Sequence, residues 1–471
     1  MTTNVDVVVL AAGKGTRMRS RQPKVLHRLA GRPMLCHVLD TAATVRPRRT
    51  IVVTGHGAEA VEAVLQASQP TGGGGALSSV RQSPQRGTGH AVQQAAPLLA
   101  GDGSVLVLNG DVPLIAPATV AALADACGAA RLVLLTTVPD DATGYGRIVR
   151  GADGAVRGIV EHKDATEVER GIREIYTGIM AAPGDRLADW LSRLSCDNAQ
   201  GEYYLTDIVA LAVADGVEVV AVETRDPVEV AGVNSPAQLA ELERALQRRR
   251  AEALLEQGVR LADPARLDVR GTLECGSDVD IDVGCVFSGT VRLGDDVRIG
   301  AYCVIANARI ADGTVIHPFT HIDGEAAGVE VGAEARIGPF ARLRPGARLG
   351  AEVHIGNFVE VKNSTLAQGA KANHLAYLGD ADVGERVNYG AGSITANYDG
   401  ARKHRTVIGA DVHVGSNCVL VAPLDIGTGA TIAGGSTITT DVPAGGLSVS
   451  RGRQRDIAGW KRPAKTGNAG A

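Results

Sequence analysis

A glycine-rich segment with basic side chains lies close to the start of the chain. It reads LAAGKGTRM over residues 10–18 and follows the apolar run VVV. Backbone N–H groups of such a loop can approach a phosphate closely, and Arg17 and Lys24 can supply positive charge. A dinucleotide-binding loop would need glycine in place of Met18, and a P-loop would need serine or threonine after Lys14. The segment therefore predicts a phosphate site of neither type, with an ordinary turn as the alternative.

Two further segments carry groups that suit a nucleotide. RQSPQRGTGHA presents Gln82, Gly87 and Thr88 ahead of a predicted helix, and a side-chain amide can read the edge of a nucleobase. VLVLNGDVPLI places Asp111 at the end of a buried apolar strand. A carboxylate in that position is costly unless it is paired or binds a cation. We therefore interpret Asp111 as a magnesium ligand, and the alternative is a carboxylate that caps the next turn.

The second half of the chain holds two cations and a histidine that could act together. Arg344 stands in ARLRPGA and Lys362 follows 18 residues later in FVEVKNS. Two such cations on one face could hold one phosphate, although Arg344 could equally be an ordinary surface side chain. His374, in KANHLAYLGDA, carries the side chain whose unperturbed pKa suits a general base near neutral pH. A lone histidine is more often structural, so the spacing alone leaves its role open.

The first half of the chain must position the nucleotide groups, and it alternates strands with helices. The short apolar runs VDVVVLAA, TIVVTGHG and SVLVLNGDVPLI end in glycine or polar residues, as buried parallel strands do. Helical patterns such as PMLCHVLDTAATV lie between them. This predicts an α/β, Rossmann-like, doubly wound domain over residues 1–236, with its ligand at the carboxyl ends of the strands. Ser235 and Pro236 then open a predicted linker helix over 237–258 that Gly258 ends.

The remainder, residues 259–471, repeats an aliphatic residue every six positions. This period is neither that of a strand nor that of a helix, and it fits a parallel β-helix with three short strands per coil. The period is interrupted over residues 321–328 and 373–405, and loops that project from a solenoid commonly carry its binding site. We expect His374 to lie in the second loop. The repeating positions are Ile281, Phe287, Leu293, Ile299, Ile305, Val331, Ile337, Leu343, Leu349, Ile355, Val361, Ile408, Val414, Leu420, Ile426, Ile432 and Ile438.

Composition limits the possible partners. A net charge of −4 gives no electrostatic reason to expect nucleic acid or a membrane surface. The seven cysteines are scattered without a CxxC pair, which argues against a zinc site or a disulfide framework and suits a reducing compartment. The N-terminus lacks the basic start and the long apolar run of a signal peptide. We therefore expect a cytoplasmic protein that acts on small molecules.

The motifs taken together identify a resemblance. LAAGKGTRM, PKVL, QRGTGHA, NGDVPL, GYGRIV, VEHKDA and GVN resemble those of the sugar-phosphate nucleotidyltransferases. From about residue 5 to residue 463, the whole chain resembles the bacterial family of bifunctional UDP-N-acetylglucosamine pyrophosphorylase/glucosamine-1-phosphate N-acetyltransferases. The resemblance implies a left-handed β-helix that assembles as a homotrimer. It also implies synthesis of UDP-N-acetylglucosamine for peptidoglycan and lipopolysaccharide, from glucosamine-1-phosphate, acetyl-CoA and UTP.

The resemblance also implies roles for residues of the first half. Arg17 and Lys24 would offset the charge of the triphosphate, and Asp111 and Asn234 would bind Mg²⁺. Tyr176 stands in EIYTGIM where the family has asparagine, so its hydroxyl either reaches the sugar or the contact is lost. The residues implied to contact the uridine nucleotide or its sugar are Leu10, Ala11, Ala12, Gly13, Arg17, Lys24, Gln82, Gly87, Thr88, Asn109, Gly110, Asp111, Gly146, Glu161, Tyr176 and Asn234.

In the second half, the resemblance makes His374 the catalytic base that removes a proton from the sugar's ammonium group, with Glu360 as the residue that could orient it. The residues implied to bind glucosamine-1-phosphate are Arg344, Lys362, Tyr377 and Asn388. Those implied to line the acetyl-CoA groove are Ala391, Asn397, Tyr398, Ser416, Gly434 and Arg451. Lys403 would reach a neighbouring chain's site or the phosphates of CoA.

Two alternatives stay open at this stage. One is a pyrophosphorylase for another hexose phosphate that carries a β-helix tail. The other is a β-helix that only binds or oligomerises, which would leave a single activity. A histidine in an interrupting loop argues against the second alternative, because a scaffold gains nothing from breaking its own repeat.

Overall fold

The computed structural model describes residues 4–67 and 75–462 of the chain. Their contacts divide the chain into two compact units, Met1–Arg250 and Ala251–Ala471. The division falls inside the predicted linker helix, and the domain limits 1–236, 237–258 and 259–471 stay a prediction. In the two described ranges, no helix is both long enough and apolar enough to cross a membrane.

A mixed β-sheet forms the centre of the first unit. Its main strands lie in the order β11-β7-β10-β6-β1-β4-β5, β8 and β9 extend it beside β10, and β2 and β3 pair separately. The strands are Val5–Ala11 (β1), Arg28–Leu29 (β2), Arg32–Pro33 (β3), Arg49–Thr54 (β4), Ala76–Arg81 (β5), Ser104–Asn109 (β6), Leu132–Thr137 (β7), Arg147–Arg150 (β8), Val156–Val160 (β9), Ile175–Pro183 (β10) and Val219–Glu223 (β11).

Helices cover both faces of this sheet, and each face has its own apolar core. The helices are Met34–Thr44 (α1), Ala58–Ala67 (α2), Thr88–Ala95 (α3), Pro117–Cys127 (α4), Glu167–Arg170 (α5), Gly184–Ser192 (α6), Ile208–Ala214 (α7) and Pro236–Glu256 (α8). Short 3-10 turns lie at Thr16–Met18, Lys24–Leu26, Ala96–Leu98 and Leu205–Asp207, and one in the second unit lies at Pro264–Arg266.

The three strands predicted from apolar runs are confirmed as β1, β4 and β6, and they are parallel neighbours. The sheet is not parallel throughout, because β10 is antiparallel to both β6 and β7. The predicted helix after Ser235 is confirmed as α8. The Ser235 hydroxyl accepts a hydrogen bond from the backbone N–H of Gln238 at 3.3 Å. Gly258, just after the helix, has a φ of 91° that favours glycine.

The second unit is a parallel β-helix. One face is formed by Arg260–Leu261, Asp280–Ile281, Arg298–Ile299, Val315–Ile316, Arg336–Ile337, His354–Asn357, Lys371–His374, Asn388–Tyr389, His413–Val414, Thr431–Ile432 and Leu447–Ser448. Three long strands, Asp268–Cys275, Val286–Leu293 and Val304–Ile310, begin the rest of the coil. A second face follows with His321–Asp323, Arg342–Leu343, Glu360–Lys362, Tyr377–Gly379, Ile394–Ala396, Val419–Val421 and Thr437–Ile438, and a third with Val329–Val331, Arg348–Leu349, Thr365–Leu366, Ala381–Val383, Thr406–Ile408 and Leu424–Ile426.

The six-residue period is confirmed as the interior of this coil. Each of the seventeen aliphatic or aromatic positions predicted from the period is at most 4% exposed. Residues 18 positions apart, such as Leu343 and Val361, pair in neighbouring parallel strands. The core of the unit is therefore a set of stacked apolar side chains, one from each short strand.

The interpretation of residues 373–405 as one projecting loop is wrong. Val361 pairs with Leu378 and Leu366 pairs with Val383, so the coil continues with turns of 17 residues instead of 18. The shortening occurs at a corner after Val361, where Asn363 has a φ of 44°. A count of six loses its register there, although the strands do not. The insertion itself covers residues 397–405, where Tyr398 and Lys403 form an isolated antiparallel bridge.

The stacked core predicts a large stability loss for a single truncation. Ile337 has no exposed surface, so Ile337→Ala should lower the free energy of unfolding of the β-helix by about 2–5 kcal/mol. The neighbouring Arg336 is exposed, and Arg336→Ala should change the free energy by less than about 0.5 kcal/mol. Urea titration followed by circular dichroism measures both values. Equal values for the two variants would contradict the described packing.

Candidate active sites

A cavity of about 320 Å³ lies at the carboxyl ends of the strands of the first unit. It gathers most of the residues predicted to hold a nucleotide, from four separate segments of the chain. Arg17 does not line it and is exposed. The lining residues are Leu10, Ala11, Ala12, Gly13, Lys24, Val25, Gln82, Gln85, Gly87, Thr88, Ala91, Asn109, Asp111 and Glu202.

The parallel pairing of β1 with β6 explains why two of these segments meet. Leu10 lies opposite Asn109, so the residues that follow each strand emerge at the same edge of the sheet. The backbone N–H of Gly110 donates to the carbonyl of Leu10 at 2.9 Å. A Cβ at Gly110 would lie only 3.1 Å from that carbonyl oxygen, which favours glycine at this position. The side chain of Gln85 also holds the loop, since its Nε2 donates to the carbonyl of Ala12 at 2.6 Å.

Lys24 joins the two residues predicted as metal ligands. Its ammonium group donates to the carboxylate of Asp111 and, at 3.0 Å, to Oδ1 of Asn234. Asn234 is fixed just ahead of α8, because its backbone N–H donates to Oε1 of Gln238 at 2.8 Å. The geometry therefore places a carboxylate and an amide oxygen around one cation at the wall of the cavity.

These two oxygens fit a divalent metal ion. No cluster of three or more His, Cys, Asp or Glu side chains that could hold a metal alone occurs in the described part of the chain. Mg²⁺ in phosphoryl-transfer sites is usually held by one or two protein oxygens together with water and substrate phosphates. The pair Asp111 and Asn234 meets that requirement, and Lys24 already shows that a cation is stable beside them.

Three predicted sugar contacts lie together but do not line this cavity. Burial raises the pKa of the Glu161 carboxyl, and Thr206 donates a hydrogen bond to it at 3.1 Å. The backbone N–H of Tyr176 donates to the carbonyl of Gly146 at 2.9 Å. The Tyr176 ring is 7% exposed, burial raises its pKa, and no described group bonds its buried hydroxyl. A contact of Tyr176 with the sugar stays a prediction.

In the β-helix, Arg344 and Lys362 occupy equivalent positions of adjacent coils, as their spacing predicts. The flanking residues Leu343 and Val361 pair directly, and the backbone N–H of Arg344 donates to the carbonyl of Val361 at 2.8 Å. Lys403 of the insertion lies beside Lys362 in the same chain. Its ammonium group lowers the pKa of Lys362, and burial and the Arg344 guanidinium add to this effect. Three cations therefore converge on one patch, as a phosphate site requires.

His374 ends a regular strand, so its placement in a projecting loop is wrong. The imidazole is exposed, and its Nδ1 lies 2.9 Å from Oδ1 of Asn357, the residue opposite it in the preceding coil. Glu360 instead accepts a hydrogen bond from Arg344 at 2.8 Å. The interpretation of Glu360 as the residue that orients His374 is therefore wrong, and Asn357 takes that position.

The remaining predicted sugar contacts stand on either side of the corner after His374. Tyr377 begins the next strand and lies against Gly379, while the Nδ2 atom of Asn388 lies 3.2 Å from Nδ1 of His413. No hydrogen bond printed for the described residues joins Arg344 or Lys362 to His374. The chain thus supplies a cationic patch on one face and the histidine on the preceding face.

The residues predicted for acetyl-CoA form two groups. Ala391, Ser416, Gly434 and Arg451 lie along one corner of consecutive coils, linked by hydrogen bonds such as Arg451 Nη1 to the carbonyl of Gly434 at 2.8 Å. Asn397 and Tyr398 lie in the insertion. Nδ2 of Asn397 donates to the buried Asp380 at 2.5 Å, and the Tyr398 hydroxyl donates to the carbonyl of Gly400 at 2.6 Å.

Sequence reasoning missed two residues that the structure brings into these sites. Glu202 lines the nucleotide cavity although it lies far from the glycine loop in sequence. Asn357 contacts the proposed base across one coil. The only signal for Asn357 is its distance of 17 residues from His374, and that signal needs the shortened coil to be known.

Comparison with known proteins agrees with this reading of both units. A family model described as MobA-like NTP transferase domain matches residues 7–263. Three relatives, each named bifunctional protein GlmU, cover both units. The protein from Acidovorax sp. (strain JS42) is 68% identical over 471 residues, which cover 98% of this chain and 99% of that protein. The relative from Methylibium petroleiphilum is 69% identical over 464 residues, with the same coverage of both chains. The relative from Bordetella parapertussis is 57% identical over 465 residues, again 98% and 99% of the two chains.

The predicted fold class, a Rossmann-like nucleotidyltransferase unit followed by a left-handed parallel β-helix, is confirmed by the strand topology together with these matches. The resemblance inferred from the motifs is also confirmed, because the identities extend over nearly the whole chain. The chain belongs to the family of the bifunctional protein GlmU.

Proposed function

We propose that this chain is a bifunctional enzyme that makes UDP-N-acetylglucosamine at two separate sites. The β-helix acetylates glucosamine-1-phosphate with acetyl-CoA, and the first unit transfers UMP from UTP to N-acetylglucosamine-1-phosphate with release of pyrophosphate. The observation that carries this proposal is the cavity in which predicted nucleotide contacts from separate segments meet beside Lys24, Asp111 and Asn234. The product would serve peptidoglycan and lipopolysaccharide synthesis in the cytoplasm.

For uridyl transfer, the protein chiefly positions the reactants and neutralises charge. A phosphate oxygen of N-acetylglucosamine-1-phosphate attacks the α-phosphorus of UTP in line, and pyrophosphate leaves, so no protein nucleophile is needed. The loop 10–13 and Lys24 bind the phosphates, while Gln82, Gly87 and Thr88 hold the uridine. Asp111 and Asn234 would hold Mg²⁺, which supplies further positive charge to the phosphates when bound.

The sugar end of this site is assigned to residues beyond the cavity lining. Asn109 and Gly110 follow β6, and Gly146, Glu161 and Tyr176 form the neighbouring group. A carboxylate such as that of Glu161 accepts hydrogen bonds from sugar hydroxyl or amide groups. Its raised pKa through burial favours placement in a pocket that excludes water.

For acetyl transfer, His374 removes a proton from the ammonium group of the sugar. The freed amine attacks the thioester carbon of acetyl-CoA, an amide bond forms, and CoA leaves as its thiol after taking up a proton. The Asn357 carbonyl can only accept a hydrogen bond, so Nδ1 of His374 carries a proton and Nε2 is left as the base. Arg344, Lys362, Tyr377 and Asn388 would bind glucosamine-1-phosphate.

We expect acetyl-CoA to lie along Ala391, Asn397, Tyr398, Ser416, Gly434 and Arg451. We also expect the β-helix to assemble as a homotrimer. An exposed aromatic stack on one corner supports this expectation. The rings of Tyr302, Phe319, Phe340 and Phe358 stack with centroids 5.1–5.4 Å apart and are 46–57% exposed. A contiguous apolar edge of this kind is typical of a surface that another chain covers.

The cationic patch predicts a binding defect that is specific to the phosphate. Arg344→Ala should raise the KM for glucosamine-1-phosphate about 10- to 100-fold and change kcat little, because a charge-assisted hydrogen bond contributes about 1.5–3 kcal/mol. CoA release at varied sugar phosphate measures this. Arg342→Ala is the matched control, since Arg342 lies on the same face but is not assigned to the site. An equal rise for both variants would contradict the assignment.

Two product assays test the proposal as a whole. Free CoA formed from acetyl-CoA and glucosamine-1-phosphate is measured by mass, because the chain's seven cysteines would react with a thiol dye. Pyrophosphate formed from UTP and N-acetylglucosamine-1-phosphate is measured separately. We expect both products. Pyrophosphate without CoA would reduce the β-helix to a scaffold, and CoA without pyrophosphate would reject the uridyltransferase.

A further inference from the structure

The side-chain amide of Gln82 lines the nucleotide cavity in a fixed position. Gln82 directly follows β5, is 5% exposed, and its backbone N–H donates to the carbonyl of Thr54 at 2.8 Å. The backbone of this residue is therefore held as a continuation of the sheet. What the amide offers to a ligand depends on which of its two ends faces the cavity.

Both protons of the Gln82 amide are already used within the protein. Nε2 donates to the carbonyl of Gly87 at 2.9 Å, and a carbonyl can only accept, so the NH₂ end must point there. The same nitrogen lies 3.2 Å from Nδ1 of His90. An NH₂ group has no lone pair to offer, so Nδ1 of His90 must accept and the ring proton must be on Nε2.

The oxygen of the Gln82 amide is the end left for a ligand. No described residue bonds this oxygen, and it is not among the buried polar atoms that lack both a partner and solvent contact. Because Gln82 lines the cavity, the oxygen opens into it. The site thus presents a hydrogen-bond acceptor, and no donor, from this side chain.

His90 is itself held in place on α3. Its ring lies beside Tyr203 with centroids 6.3 Å apart, and the side-chain amide of Gln94, one turn later, lies 3.2 Å from Nε2. That amide can turn its oxygen towards an Nε2–H group. Burial and the Arg86 guanidinium lower the pKa of His90, which favours the neutral ring with a lone pair on Nδ1.

We infer that His90 is a positioning residue for base selection. It locks the Gln82 amide with the oxygen towards the nucleotide, so that the site accepts the N3–H of uracil. Cytosine has a lone pair at N3 and would face that oxygen without a proton between them. The inference rests on the proposed uridyl transfer and adds to it the group that discriminates UTP from CTP.

Pyrophosphate formation with UTP and with CTP tests this inference. The wild type should favour UTP by about 10²-fold or more in kcat/KM, because a site built for an N–H rejects a base that lacks it. In His90→Phe the amide can turn, so the KM for UTP should rise about 10-fold with little change in kcat. The preference for UTP over CTP should fall by the same factor. His90→Asn places an oxygen near the position of Nδ1 and should restore most of the preference.

Two controls separate positioning from folding. Gln94→Ala removes a contact on the far side of the ring and should keep the preference for UTP. Acetyl transfer by the β-helix in the same samples should equal that of the wild type. Equal losses with UTP and CTP in His90→Phe, or a wild type without preference, would overturn the inference and leave uridyl transfer intact. A wild type that forms no pyrophosphate from UTP would instead overturn the proposed function.

Discussion

Lys24→Ala should lower the rate of uridyl transfer by about 10²- to 10³-fold, because it removes a preorganised charge from the phosphates of the transition state. The Lys24 side chain is only 14% exposed and contacts both Asp111 and Asn234. Its ammonium group is therefore positioned before any ligand binds. Pyrophosphate release at saturating UTP and N-acetylglucosamine-1-phosphate measures the effect.

The same substitution tests the proposed metal ligands. Without Lys24, Asp111 and Asn234 lose the cation that lies between them, and we expect the dependence of the rate on Mg²⁺ concentration to change. Lys14→Ala is the matched control, because Lys14 is an exposed lysine of the same glycine loop that does not line the cavity. It should leave the rate almost unchanged. A Lys24→Ala protein with full uridyl transfer would remove this side chain from the mechanism.

The nucleotide site could be predicted in large part because its residues follow strands that the sequence reveals locally. Apolar runs identify β1, β4 and β6, and parallel strands bring their carboxyl ends to one edge. Lys24, Gln82 and Asp111 therefore meet as expected. The antiparallel β10 and the inclusion of Glu202 could not be predicted in this way, because they depend on contacts between distant segments that leave no periodic signal.

The acetyl-transfer site shows the same limit in the β-helix. A six-residue count identifies the buried file as long as each corner keeps its length. One residue fewer after Val361 shifts the count, and it makes a continuous coil look like a loop. The partner of His374 depends on this shift, because residue 357 lies opposite 374 only in a coil of 17 residues. The stacked aromatic corner was missed for a related reason, since exposed rings do not belong to the inward file.

His374→Ala should lower acetyl transfer by about 10²- to 10⁴-fold, the usual contribution of a general base, and should leave uridyl transfer unchanged. The sugar's nitrogen cannot attack the thioester while it is protonated, and the described structure places His374 as an exposed imidazole with one nitrogen held by Asn357. Release of free CoA from acetyl-CoA and glucosamine-1-phosphate, followed by mass, measures the effect.

Two further variants decide whether His374 acts as a base. Asn357→Ala removes the acceptor at Nδ1 but leaves the imidazole, so it should cost about 10-fold in kcat, less than loss of the ring. His413→Ala is the control, because His413 is an exposed histidine on the same face that contacts Asn388 and carries no catalytic assignment. If His374→Ala lost no more activity than His413→Ala, proton removal would have to come from another group or from water. If Asn357→Ala matched the wild type at every pH, the hydrogen bond would not fix the tautomer of the base.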